Sequence, residues 1–356
     1  MRPLLKPALR RLWRDPSTLQ LGLTAAHAVV LTGLTPADRR LLELLDGSRD
    51  VDALLAATAD TDVDADADAG RAGAQRLLTT LERAGALDDA SVPAPALGED
   101  DRQRLEPDVL SLSLRHAGAG AAARVLDRRR SAVVAMHGAG RVGAEVTMLL
   151  AAAGVGTLAC LDDTPLRHGD LSPGGLPRIL TGTRGEVAAL RARRFTATAR
   201  TTTARPEHVT LAVLAPASGE AMPETVTSVR DEPHLLACVR ETTGVVGPLV
   251  VPGRTPCLRC LALARGERDP QWPALSAQLI GDHVTEPCDV VLASLVASVA
   301  AMQALAFLDG ADEPAAVGGV LEYDAGRGTL RRRSIGVHPA CGCAPAHVDD
   351  VLIAAS

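Results

Sequence analysis

Three sets of residues in this sequence have the types and spacing to do chemistry. Gly138-Ala139-Gly140-Arg141-Val142-Gly143 sets three glycines where a phosphate-cradling turn needs them. The first allows a tight turn, the second lets backbone amides approach a phosphate, and the third lets a helix pack closely on a strand. Asp162-Asp163 follows roughly twenty residues later, where an acid would hold a ribose hydroxyl. Cys257-Leu258-Arg259-Cys260 and Cys341-Gly342-Cys343 offer four thiolates that fit tetrahedral Zn2+, and a closed set of four leaves no open position for catalysis. Such a site would be structural, tying the C-terminal segment to the sheet. For the glycines and for the cysteines a plainer reading stands beside this one: glycines that serve only packing, and reduced cysteines in Gly/Pro-rich turns. His338 is a conceivable substitute ligand. Cys288 precedes a long helix whose N-terminus could lower a thiol pKa.

The elements that must position these residues form an α/β pattern from Ser131 onward. Ala132–Met136 reads as a short apolar strand, and Ala144–Ala153 as a small-residue helix after the glycine turn. Gly156–Leu161, Val209–Leu214 and Leu249–Val251 read as further buried strands, and Cys238 falls in an expected helix. Val290–Leu308 is a long helix with Asp289 as N-cap, and Val320–Tyr323 with Thr329–Arg333 reads as a hairpin. The fold class expected is α/β: a Rossmann-like, mostly parallel sheet with an antiparallel C-terminal hairpin, preceded by a small winged-helix domain. In that first domain, strands at Leu19–Leu23 and Ala28–Leu31 precede three helices. These cover Pro36–Leu45 with Thr35 as N-cap, a stretch after Asp50, and about Ala72–Ala84. Thr58–Gly70, alternating Asp and Ala, reads as an acidic loop. The expected domains are 1–90, a linker and helical lead-in at 91–122, and 123–356.

Composition narrows the function classes. The chain has 356 residues, enough for two or three domains, and a formal net charge of −6. That charge argues against a nucleic-acid partner. Aromatic residues make up only 1%, so the core must be built from Ala, Leu and Val. The cluster Arg2, Lys6, Arg10, Arg11 and Arg14 reads as a solvated face. No secretory signal and no membrane span is expected, since Val290–Leu308 carries Ser294, Ser298 and Gln303. Seven cysteines with four in close pairs suggest metal in a cytoplasmic protein.

These residues, in this order, resemble the ThiF/MoeB superfamily, which includes ubiquitin-activating enzymes and adenylates the C-terminus of a small protein or peptide. The similarity runs from about Ala123 to Cys343. It takes in the lead-in Arg124–Met136, the glycine turn, Asp162-Asp163-Thr164, the helix Leu292–Gly310 and the cysteine pairs. It implies that Gly138, Gly140, Arg141, Gly143, Asp162, Asp163 and Arg184 bind the nucleotide and that Cys257, Cys260, Cys341 and Cys343 hold zinc. Homodimers are common in the superfamily. Three departures count against the ATP and Mg2+ that the resemblance also implies. Asp170-Leu171-Ser172-Pro173 replaces Asn-Leu-Asn-Arg, Gly182-Thr183-Arg184-Gly185 stands for Gly-x-x-Lys, and Ala215-Pro216-Ala217-Ser218 occupies the turn of a metal-binding Asp. The N-terminal leucine pattern resembles a PqqD-type module that adds a leader peptide as an extra strand. On this reading the chain is a non-catalytic protein that presents a precursor peptide to a modifying enzyme, such as a YcaO-type cyclodehydratase. The alternative is an active ATP-dependent adenylyltransferase. A nicotinamide oxidoreductase rests on the glycine turn alone, with no positioned acid–base pair for hydride chemistry.

Overall fold

The computed structural model divides the chain into two units, Met1–Asp127 and Arg128–Ser356, with the division inside one helix. It describes residues 1–59, 67–93, 96–171, 181–196, 198–217, 223–279, 287–310 and 313–343.

In the first unit, the strands at Pro3–Leu5 and Thr18–Leu21 alternate buried and more open positions, as strands with one face on a core do. β1 (Pro3–Leu5) pairs with β5 (Leu87–Asp89), while β2 (Arg11–Asp15), β3 (Thr18–Leu21) and β4 (Val29–Leu31) form an antiparallel sheet in that order. Helices α1 (Pro36–Leu44), α2 (Val51–Ala59) and α3 (Ala67–Arg83) follow β4, and α4 (Glu99–Arg115) and α5 (Ala121–Ser131) follow β5. Thr35 caps α1 as expected. Its hydroxyl accepts the Asp38 N–H at 3.1 Å and the Asp38 carboxylate accepts the Thr35 N–H at 2.9 Å, with Pro36 opening the helix. Leu41, Leu54, Leu77 and Leu81 close over Leu19, Leu21 and Leu31. Two expectations change. Thr58-Ala59 ends α2 and Ala67–Gly70 begins α3, both parts of the expected acidic loop, and the remainder of that stretch, residues 60–66, lies outside the described residues. Lys6 is not on a solvated face: it is buried and donates to the Ser113 carbonyl at 2.5 Å, and burial pulls its pKa down.

The second unit is built on β6 (Val133–His137), α6 (Arg141–Ala152), β7 (Thr157–Leu161), α7 (Arg184–Phe195), β8 (Arg200–Thr202), β9 (Leu211–Leu214), α8 (Pro223–Ser228), β10 (His234–Arg240) and β11 (Thr243–Val250). Then come α9 (Leu258–Arg268), α10 (Trp272–Gln278), α11 (Val290–Asp309), β12 (Gly319–Asp324) and β13 (Thr329–Ser334). The sheet order is β13-β12-β11-β10-β9-β6-β7-β8. Strands β10, β9, β6, β7 and β8 run parallel, and β11, β12 and β13 add antiparallel pairs beyond β10. The chain therefore leaves β6 for β7 on one side and later returns to β9 on the other. That reversal opens a crevice at the C-terminal end of β6, where ligands bind in sheets of this kind.

Central strands are buried on both faces and so lose the period-2 signal. Thus His234–Arg240, almost wholly buried, is a strand, and Cys238 lies in it rather than in a helix. α11 is capped by Asp289, whose carboxylate accepts the Val291 and Leu292 amides at 2.9 and 3.0 Å. It is the one helix, among the described residues, long and apolar enough to cross a membrane. Here Ala293, Val296, Ala297, Ala300 and Ala304 are buried in the core shared with α6, β10 and β11. Gln303 uses its amide oxygen to accept the Ala316 N–H at 2.9 Å. At its end Arg129 grips Asp309 with two bonds of 2.7 Å in a buried ion pair.

Candidate active site and metal centre

β6 delivers the chain into the glycine turn, and the three glycines do three different things there. Gly138 has φ +95° and a Cβ on it would lie 2.3 Å from the Ala215 carbonyl oxygen, so the turn after β9 closes directly against it. A Cβ on Gly143 would lie 1.9 Å from the Gly138 carbonyl, which is the close helix–strand approach read from the sequence. At Gly140 a Cβ would meet nothing within 4 Å. Gly140 is also the N-cap of α6, and no side chain caps that helix. Its first amides are therefore left without a side-chain acceptor, and the positive end of its dipole favours an anion there.

Asp162 and Asp163 end β7 but differ in role. Both oxygens of Asp162 are taken by backbone: Oδ2 accepts the Ala139 N–H at 2.7 Å and Oδ1 the Thr164 N–H at 3.0 Å. Asp162 therefore shapes the glycine turn from inside, while Asp163 is exposed. Arg184 opens α7 behind a capping box of Thr183 and Glu186. Its guanidinium donates to Asp170 Oδ1 at 2.7 Å, and both side chains are largely buried. Burial lowers the Arg184 pKa, but Asp170 and Asp162 more than reverse this. Arg141 is not extended toward the anion space. It opens α6 and donates to the carbonyls of Gly169 and Cys288, both at 2.6 Å. Burial raises the Cys288 thiol pKa more than Arg141 lowers it, so the helix N-terminus does not activate it. The turn after β9 carries Ala215, Pro216 and Ala217, none with a metal-ligating side chain; Ser172, Pro173 and Ser218 lie outside the described residues.

A further cluster beneath the end of β6 carries no sequence signal. His137 Nε2 lies 3.3 Å from Arg205 Nη1, and Arg205 also donates to Glu232 at 2.7 Å and to the Ser228 carbonyl at 3.2 Å. Burial first, then Arg205 and His234, push the His137 pKa down to about 4, and burial lowers His234 as well. Folding therefore keeps both rings neutral at a pH where the unfolded chain, with an ordinary value near 6.5, takes up protons. Stability is expected to fall as the pH drops from about 6.5 toward 4. His137→Gln should flatten the dependence of melting temperature on pH in that window. An unchanged slope would place the acid sensitivity elsewhere.

The four cysteines come together. Cys257 Sγ lies 3.9 Å from Cys260 and 3.4 Å from Cys341, and Cys260 lies 3.3 Å from Cys343. All four sulfurs lie within 4.8 Å of one another. Four thiolates about 2.3 Å from a tetrahedral zinc would be roughly 3.8 Å apart, so the set fits. The knuckle is made by the start of α9 and the chain after β13. Burial opposes ionisation of Cys260, yet the amides of His338 and Cys257 and the neighbouring thiols outweigh it and bring its pKa down to about 7. His338 is no ligand: its Nε2 sits 2.9 Å from Glu267 and its Nδ1 accepts the Ala340 N–H at 3.1 Å.

The second unit is thus a mixed α/β, Rossmann-like fold, with its glycine turn at the switch point and a four-cysteine knuckle at the start of α9. Comparisons with solved structures extend this to the whole chain. E. coli MccB with ATP superposes with a TM-score of 0.68 at 15% identity, covering 97% of this chain and 100% of that one. E. coli MccB with AMPCPP and MccA gives 0.69 at 15%, covering 96% and 99%. The microcin C7 biosynthetic enzyme MccB in complex with N-formylated MccA gives 0.67 at 15%, covering 97% and 100%. No family model and no curated protein matches the sequence.

At such identity the likeness shows the fold. It also overturns two expectations. The missing motif side chains argue for a non-catalytic presenter and against ATP and Mg2+, and the likeness contradicts both. The same fold, over nearly the whole of both chains, is found in MccB solved with ATP and in MccB solved with AMPCPP and MccA. The physical reason is that a phosphate cradle is made of backbone, namely a tight turn, an open Cα and a helix N-terminus. A turn with Gly138 at positive φ, an open Cα at Gly140 and an uncapped helix N-terminus are all present here, whatever side chains flank them.

Proposed function

We propose that this protein is an ATP-dependent adenylyltransferase that activates the C-terminal carboxylate of a precursor peptide. The observation that carries the reading is the open space at Gly140 before an uncapped α6, at the reversal of strand order. ATP supplies the adenylyl group: a carboxylate oxygen bonds to the α-phosphorus as pyrophosphate leaves. The chain's part is to hold the phosphates on the α6 amides, to offer Asp163 to the ribose, and to place Arg184 where charge develops. The structures of MccB with ATP, AMPCPP and MccA support it as those of a protein with the same fold.

The first unit is proposed as a winged-helix peptide reader. β4 is an edge strand, and a cavity of about 810 Å³ lies beside it, lined by Val30, Leu34, Ala74, Arg76, Leu77 and Thr80 among others. An edge strand facing a helix can accept an extended peptide as an added strand, with side chains filling the groove. The test is pyrophosphate exchange driven by candidate peptides: no exchange above the peptide-free rate with any of them would reject the reading. Gly73 lines the same cavity, and a Cβ there would meet only the end of the Arg76 side chain at 3.7 Å. Gly73→Trp is expected to raise the KM for peptide about tenfold or more and to leave ATP affinity unchanged. An unaltered peptide KM would place the reader elsewhere.

A further inference from the structure

The first residues of α6 and α7 are both arginines, Arg141 and Arg184. A cation at a helix N-terminus is opposed by the dipole, so each needs an external acceptor. Both find it on the same short turn, His168–Asp170. Arg141 donates to the Gly169 carbonyl at 2.6 Å and Arg184 to Asp170 Oδ1 at 2.7 Å. The backbone of Arg184 is fixed as well: its N–H donates to the Thr164 carbonyl at 2.8 Å and the Gly185 N–H to the Asp162 carbonyl at 3.0 Å. A Cβ on Gly185 would fall 2.5 Å from the Cys160 carbonyl, so α7 starts hard against the end of β7. Since Asp162 also holds the Ala139 amide, Arg184 stands beside the glycine turn with its charge already matched by a carboxylate.

We propose that Asp170 is an internal competitor for the nucleotide: its carboxylate occupies Arg184 in place of a phosphate oxygen, and binding requires Arg184 to change partner. Asp170 then sets nucleotide affinity without touching the reacting atoms. This rests on reading the glycine turn as a nucleotide site. The chemistry is symmetrical, because a guanidinium fork accepts carboxylate and phosphate oxygens alike. A phosphate brings the larger charge and the α6 dipole as a second partner, so the exchange can favour the nucleotide.

The second oxygen of Asp170 provides a clean test. Oδ2 accepts the Arg167 N–H at 2.8 Å, and an asparagine keeps an oxygen for that amide while removing the charge. Titration calorimetry with AMPCPP and Mg2+ on the full chain reads affinity without turnover. Asp170→Asn and Asp170→Ala are expected to bind about tenfold more tightly than the parent. In an Arg184→Met background, itself weakened, Asp170→Asn should have no effect, since the competitor has lost its target. Melting temperatures within a few degrees of the parent show that the fold is kept. Weaker or unchanged affinity in both Asp170 variants, with the parent binding, overturns the competitor. Absence of nucleotide binding by the parent and by every variant overturns instead the nucleotide site on which it rests.

Discussion

Replacing Cys260 with serine is expected to abolish zinc binding and to lower the melting temperature by roughly 10 °C or more, several kcal/mol for a unit of this size. The effect should be large because the site joins segments far apart in sequence. Cys257 and Cys260 flank the start of α9, and Cys341 and Cys343 follow the outermost strand β13. Cys260 is 1% exposed and Cys341 8%, so a loosened ligand could not simply be replaced by water. The His338 amide, 3.3 Å from Cys260 Sγ, adds an outer hydrogen bond of the kind that orients metal ligands. Elemental analysis should find about one zinc per chain, lost in Cys260→Ser and kept in Cys238→Ala, whose thiol is buried in β10 away from the knuckle. Metal-free protein from ordinary preparations, melting identically with and without a strong chelator, would show that the four thiols are only neighbours.

The sequence made most of this architecture readable where a local rule governs the residues. The Thr35 and Asp289 caps, the β12–β13 hairpin, the glycine turn and the cysteine pairs each depend on a few adjacent positions, and the structure has them in place. β10 escaped because burial on both faces erases its alternation, and β8 because Arg200–Thr202 is only three residues long. At the candidate site the residue types were legible and their partners were not. Asp162 matches the ribose-binding acid of the resemblance, yet its oxygens hold Ala139 and Thr164. Arg141 follows the second glycine of the turn and spends its guanidinium on the Gly169 and Cys288 carbonyls. Those acceptors lie far along the chain, and no spacing rule joins them. Arg205, Glu232 and His137 meet for the same reason, through the order in which the strands are laid side by side. Function is hard to read for a related reason: the turn at Gly138, the open Cα at Gly140 and the uncapped start of α6 are backbone features, and beyond the glycines they leave no trace in a linear pattern of side chains.

Gly140→Val is the substitution expected to separate folding from function most sharply. Gly140 has φ −68° and ψ −161°, which any residue adopts, and its Cβ direction is empty to 4 Å. The cost to the fold is therefore limited to a poorer helix cap, about 1 kcal/mol or a few degrees in melting temperature. The cost to an anion is of another order. A branched side chain would fill the approach to the α6 amides, where a phosphate must come within hydrogen-bonding distance of backbone. Nucleotide affinity and peptide-dependent pyrophosphate exchange are expected to fall about a hundredfold or more, with zinc content unchanged. Gly143 is the necessary contrast. A Cβ there would press to 1.9 Å from the Gly138 carbonyl, so its replacement disturbs packing and binding together and cannot discriminate. Full exchange activity in a well-folded Gly140→Val protein would mean that the phosphates are held somewhere other than the glycine turn. The switch-point crevice would then have to be given up as the catalytic centre.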